Sequence, residues 1–295
     1  MDTRQLKSLV AIKKFGTFAQ AATQVNLTPA AVGQQIAALE QELGTELFDR
    51  STRPPTFTVQ GLQVVEMAWQ ILRLEEETKL SLKGDLISGT LLIGSVRSSS
   101  INLLPQAMIK MKSKYPELKT SLRIGFSSNL VYDVAAGHLD AAVIAEHVSI
   151  PQNLTWKPFL DEPLWIVTPE NTKLTSPEEM LRTQPFIRFK SAVPLANLID
   201  TELSKQGVMT NDVAEMDTIS AIMTCVRNGL GISVVPHISI LEPELTHLQK
   251  LPFGEPQLTR KIGIVQRINN PRKAIIEELH NYIAHQCDSY GIFSK

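Results

Sequence analysis

Very little in this 295-residue chain invites covalent or metal chemistry. Its two cysteines, Cys225 and Cys287, lie far apart in helical contexts. That excludes a disulfide-stapled scaffold and reads as buried thiols in a cytosolic chain. Six histidines (138, 147, 237, 247, 280, 285) stand scattered, with no H-E-x-x-H and no Cys/His ligand spacing, so no metal or cofactor is expected. G-x-S-x-G, S-x-x-K and the P-loop are all missing, and no serine has an assigned base. Gly229-Leu-Gly231 is half a dinucleotide fingerprint and precedes a strand rather than a helix, which makes it a tight turn. No apolar run reaches the length of a membrane span. The opening MDTRQLKSLV has no apolar core followed by a cleavage site, so a cytoplasmic protein without membrane contact is expected. Charge of one sign is also lacking: 29 Lys/Arg against 30 Asp/Glu leave a net −1. Any affinity for a polyanion must then be local, or doubled by dimerisation.

What the chain does have is concentrated in residues 17–53, TFAQAATQVNLTPAAVGQQIAALEQELGTELFDRSTR. Thr17 with Gln20 has capping-box spacing, and Phe18, Ala21, Ala22 and Val25 form one apolar face. Asn26 and Leu27 make a turn. Thr28 caps a second helix whose first position is Pro29, where a missing N–H costs nothing. Val32, Ile36, Leu39 and Leu43 repeat at helical spacing and face the core. Thr28, Ala30, Ala31, Gly33, Gln34 and Gln35 are left pointing outward at the helix start. A helix–turn–helix sets those positions against base edges in the major groove. Arg50 and Arg53 flank a hairpin at 51–56, placed to hold phosphates, while Glu40, Glu42 and Glu46 are expected at the far end of the helix.

The pieces FGTFAQAATQVNLTPAAV, QQIAALEQELGTELFDR, Arg53 and FTVQG at 57–61 resemble the winged helix–turn–helix of the LysR-type transcriptional regulators, in matching order without a gap. The resemblance implies that Thr28, Pro29, Ala30, Ala31, Gly33, Gln34, Gln35, Arg50 and Arg53 bind double-stranded DNA. Two departures stand out. The family commonly has Ser then Arg where this chain has Gly33 and Gln34, and a small residue where Gln60 stands. The recognition face thereby loses a hydroxyl and a cation. Through residue 60 the balance is six basic (4, 7, 13, 14, 50, 53) to five acidic (2, 40, 42, 46, 49), so placement of charge, not its sum, supports DNA binding.

Residues 2–14 read as a helix ended by Gly16, and 58–83 as one long helix. Two apolar stripes run along it, Leu62/Val65/Trp69/Leu72 and Val64/Met67/Ile71/Leu74, so it must bury two sides. One side suits its own domain and the other a partner helix, predicting a homodimer through 61–83; in the resembling family this helix pairs two subunits. Gly84 and Gly89 mark a hinge. From residue 90, strands (90–96, 121–126, 141–145) alternate with helices (102–114, 129–137), predicting a parallel sheet covered on both faces. A break is expected at 151–163. The alternation resumes with strands at 164–168, 186–189, 232–236 and 261–265 and helices near 177–183, 194–206, 218–228 and 271–287. The fold expected is α/β: an N-terminal winged helix–turn–helix (1–60), a linker helix (61–88), and a two-lobed effector domain like a periplasmic binding protein. Lobe I takes 89–162 plus 267–295, and lobe II takes 163–266.

Open α/β sheets bind ligands where helix N-termini face the strand ends. Ser98, Ser99 and Ser100 follow the first strand, Ser128 and Asn129 the second; Asp217 and Thr218 open a helix, with Arg188 and Lys190 nearby as cations. This set favours a small anionic effector such as a carboxylate. In the resembling family the matching positions line the inducer cleft. The expected function is a ligand-responsive DNA-binding transcription regulator, a homotetramer with RNA polymerase as a further partner, and not an enzyme. A small-molecule-binding α/β protein without DNA function and a cytosolic α/β enzyme are the alternatives.

Overall fold

The computed structural model describes residues 1–82, 89–101, 103–146, 149–241 and 248–289. The expected hinge at Gly84, the end of the linker beyond Leu82, Asn102, His147 and His247 lie outside them. The chain forms two compact units: Met1–Gly89 with Ala136–His138, and Thr90–Ala135 with Leu139 onward.

In the first unit, Asp2 caps α1 (Thr3–Phe15) in a capping box with Gln5, and Gly16 ends it in the left-handed region at φ 86°. Thr17 caps α2 (Phe18–Gln24). Asn26, at φ 55°, makes the turn. α3 (Pro29–Leu43) starts on Thr28, whose hydroxyl accepts the Ala31 N–H at 3.2 Å. Two short antiparallel strands follow, β1 (Phe48–Asp49) and β2 (Thr56–Phe57). Thr58 then caps α4 (Val59–Leu82) by accepting the Gly61 N–H at 2.9 Å. The core joins Leu6, Leu9 and Ile12 to Ala21, Ala22, Val32, Ile36 and Leu39, with Val65 and Ala68 from α4. Phe48 packs between Phe18 and Phe57 at ring distances of 5.0 and 4.3 Å, anchoring the hairpin. Leu43, expected inside, is exposed because α3 ends at Gly44 before another turn could carry it over the core. Of the first α4 stripe, Val65, Trp69 and Leu72 pack on this core, whereas Leu62 is exposed.

The second unit runs β3 (Gly89–Ser95), α5 (Arg97–Ile101), α6 (Leu103–Lys114), β4 (Leu118–Ile124), α7 (Ser127–Ala135), β5 (Ala141–Ala145) and β6 (Leu154–Thr168). It continues with α8 (Pro177–Thr183), β7 (Pro185–Phe189), α9 (Pro194–Lys205), β8 (Asn211–Met216), α10 (Ile219–Arg227) and β9 (Ser233–Pro236). A 3-10 turn (His237–Ile240), β10 (Gln249–Pro252), β11 (Thr259–Arg267) and α11 (Lys273–Ser289) complete it. The main sheet has the order β10-β6-β11-β5-β3-β4, with β9 also on β6; β7 and β8 pair separately.

Two expectations are corrected. The sheet is mixed rather than parallel: β3–β5 and β7–β8 are parallel, but β11 runs antiparallel to both β5 and β6. The expected break at 151–163 is mostly strand. β6 runs unbroken from Leu154 to Thr168, pairing first with β11 and then with β9 and β10. Its prolines mimicked a break, but Pro158 sits where the register slips opposite Ile262/Gly263 and Pro163 pairs at the end of the β11 ladder. Those are the positions where a strand tolerates a missing N–H. Strands β8 and β10 were unforeseen, being short and without an apolar run or a clean polar–apolar alternation.

Three clusters fill this unit. One gathers Leu164, Ile166, Phe186, Ile222, Val234 and Phe253; another Leu91, Ile93, Leu104, Met111, Ile276 and Ile283; a third Leu130, Val134 and Val265. Ile262 and Ile264, which a boundary at 266 assigns to lobe II, pack in the Leu91 cluster.

Candidate nucleic-acid interface and effector cleft

The start of α3 is an exposed face held by Thr28. Pro29, Ala30 and Gln34 are exposed, Ala31 and Gly33 partly so. Gln35 is set apart from them. Its carboxamide oxygen accepts the hydroxyl of buried Ser8 at 2.5 Å. The reason is helical phase: position 35 lies three residues after Val32 and four before Leu39, on the flank turned to α1.

Arg50 also has a partner within the protein. Its guanidinium meets Glu40 at 2.6 Å, while the other oxygen of Glu40 accepts the N–H of Leu47 and of Phe48 at 2.8 and 3.3 Å. Glu40 is therefore no solvated charge at the helix end. It ties α3 to the start of the hairpin and occupies Arg50. Arg53, at the hairpin tip, is exposed and has no protein partner among the described residues.

In the α/β unit, Ser98, Ser99 and Ser100 lie within α5 rather than in an open loop. Ser98 accepts from Arg260 at 3.1 Å, Ser100 donates to the Arg97 carbonyl at 2.7 Å, and the buried Ser99 hydroxyl has no partner among the described residues. Ser128 and Asn129, exposed on the first turn of α7, line a cavity of about 420 Å³ with Arg123, Tyr132 and Asp133; the Ser98–Ser100 set is not in its lining. Arg188 is not a free cation. It is held by Asp200, Asp212 and Thr210, and the Asp212 carboxylate keeps its pKa above the ordinary value against the opposing effect of burial. Lys190 pairs with Glu215 at 2.6 Å. Thr218 caps α10, accepting the Ala221 N–H at 3.3 Å, and Asp217 beside it is exposed.

A buried ion pair of this unit was missed. Glu162 of β6 and Arg260 of β11 are cross-strand partners, 0% and 6% exposed, joined at 2.7 Å. The second oxygen of Glu162 accepts the Ile238 N–H at 2.8 Å. Charges inside the apolar runs FLDEPLWIVT and LTRKIGIV were the available signal. Beside Ile238, His237 accepts the Trp165 indole N–H at 2.9 Å; burial, then Lys250, lowers its pKa to about 4, so it is a neutral acceptor.

Cys287 is buried, and burial followed by Glu162 and Asp288 pushes its thiol up to about 12, whereas Cys225 is partly exposed. Iodoacetamide at pH 8 is expected to alkylate Cys225 alone in the folded protein, and Cys287 only after unfolding. Mass spectrometry showing two native adducts would contradict this. Among the described residues no three His, Cys, Asp or Glu side chains gather as a metal site, and no helix is long and apolar enough to cross a membrane.

Two family models cover this arrangement. Residues 3–62 match the bacterial regulatory helix-turn-helix protein of the lysR family, and residues 84–288 match the LysR substrate binding domain. The chain belongs to the LysR family. It is a DNA-binding transcription regulator with an effector-binding domain. A probable RuBisCO transcriptional regulator of Cyanophora paradoxa is 31% identical over 277 residues, covering 90% of this chain and 86% of that one. The HTH-type transcriptional regulator SoxR of Arthrobacter sp. is 29% identical, covering 88% and 89%. A full-length OxyR variant from Pseudomonas aeruginosa shares the fold at TM-score 0.75 and 22% identity, over 96% of this chain and 94% of that one. The LysR-family regulator CbnR, solved with its target DNA, shares it at TM-score 0.67 and 19% identity, over 96% and 100%.

Proposed function

We propose that this regulator reads a pseudo-palindromic site as a dimer, through the α3 face and the Arg53 hairpin, and that an effector bound in the α/β unit resets the complex. The observation that carries the reading is the exposed, Thr28-capped α3 face beside Arg53, a cation with no partner among the described residues. Dimerisation through α4 is supported by Val59, Leu62 and Leu74, large apolar side chains exposed along a helix that buries Val65 and Ala68 in its own core. Two lobes, meeting near β6 and β11, form the effector domain in this reading, and exposed Ser128 and Asn129, which line the cavity at the start of α7, supply polar contacts to a small, anionic effector. Pairing of the α/β units into a tetramer, contact with RNA polymerase and a cytoplasmic location complete the picture. A ligand acts only through differential affinity for two states.

The test is DNA binding by the purified chain, titrated against salt with the region upstream of its own gene as probe and random duplex as competitor. Arg53→Ala is expected to weaken binding equally on all sequences and to flatten the salt slope by about one unit. Arg50→Ala, removing a latch rather than a phosphate contact, is expected to leave the slope unchanged and to weaken binding by loosening the hairpin. Equal slopes for wild type and Arg53→Ala would remove Arg53 from the interface.

A further inference from the structure

Resting on that reading, we infer that Gln34 reads an adenine, and that Ala30 and Gly33 form the flat floor against which a thymine methyl packs. Three observations converge. First, among the polar groups on this face, Thr28 already accepts the Ala31 N–H and Gln35 already accepts from Ser8, whereas Gln34 is exposed with neither end of its carboxamide engaged among the described residues. A free carboxamide offers one donor and one acceptor side by side, the pattern that meets adenine N6 and N7 in the major groove; a guanidinium would meet guanine instead. Second, Ala30, Gly33 and Gln34 stand at i, i+3 and i+4, so they share one surface, and Ala30 presents a methyl group where apolar contact with thymine C5 is made. Third, no neighbour among the described residues requires a glycine at position 33. It lies mid-helix at an ordinary helical φ, and a Cβ there would find nothing within 4 Å. A glycine that weakens its helix without relieving any internal clash points to close approach from outside.

The experiment is selection from a random duplex library, followed by titration of the selected site and its single-base variants. Wild type is expected to enrich a half-site with an A·T pair at the Gln34 position. Gln34→Arg should change that position to G·C while keeping the rest of the motif, with a preference of about tenfold or more. Gln34→Ala should lose preference there alone. Gly33→Ala should bind the selected site at least about tenfold more weakly while raising the thermal midpoint, a pairing that a merely structural glycine would not give. An unchanged motif in both Gln34 variants would overturn the assignment, as would a wild-type motif with G·C at that position. Failure of wild type to enrich any motif would overturn the assignment and the regulator reading together.

Discussion

Replacing Arg260 by methionine is expected to destabilise the α/β unit by about 3–5 kcal/mol, the usual cost of leaving one member of a buried ion pair alone. Glu162 is fully buried, and without Arg260 only one of its oxygens keeps a partner among the described residues, the Ile238 N–H. Without Arg260 the carboxylate is left in an apolar interior without its counterion. Adding Glu162→Gln to Arg260→Met should recover much of the loss, because the amide oxygen still accepts from Ile238. Chemical denaturation of the single and double variants measures both. A loss below about 1 kcal/mol for Arg260→Met would show the pair to be solvated and the assignment of Arg260 mistaken.

Gly61→Ala is expected to cost the DNA-binding unit about 1–3 kcal/mol, toward the upper end. A Cβ at Gly61 would sit 2.1 Å from the Leu47 carbonyl oxygen, and that obstacle is backbone, unable to rotate away. Leu47 is also tied to α4 by the Thr58 N–H at 3.0 Å, so relieving the clash moves the base of the hairpin. The calorimetric transition of this unit should fall by about 4–8 °C per kcal/mol lost, with weaker binding to every DNA sequence as Arg53 is displaced. Gly33→Ala, the same substitution in open space in the same unit, should move the transition the other way. Matching shifts of the two variants would contradict this use of the space around each glycine.

The elements legible in the sequence were those whose causes are local. Thr17, Thr28, Ser176 and Thr218 cap their helices where hydroxyls within three residues of an N–H dictate it. The strand at 141–145 and the helix at 177–183 fall where expected because apolar runs bounded by turn residues or a cap-proline pair leave few other solutions. The site was less legible. Arg50, Gln35 and Arg188 were chosen for their chemistry, and each is engaged by a partner that no spacing rule names: Glu40, Ser8, and the Asp200/Asp212 pair. Glu162 and Arg260, 98 positions apart, were invisible as a pair until β6 and β11 met.

The sequence by itself determined the family, the helix–turn–helix, the long α4 and the α/β alternation, since caps, prolines and apolar periods act over three or four residues and survive any tertiary arrangement. Tertiary structure alone decided which charges are free to meet a ligand. A cation is available only where no neighbour in space neutralises it, and neighbours in space are set by strand register and helix phase. That is why Arg53 and Gln34 are left without a protein partner among the described residues, while Arg50, Gln35 and Arg188 are engaged by Glu40, Ser8 and the Asp200/Asp212 pair.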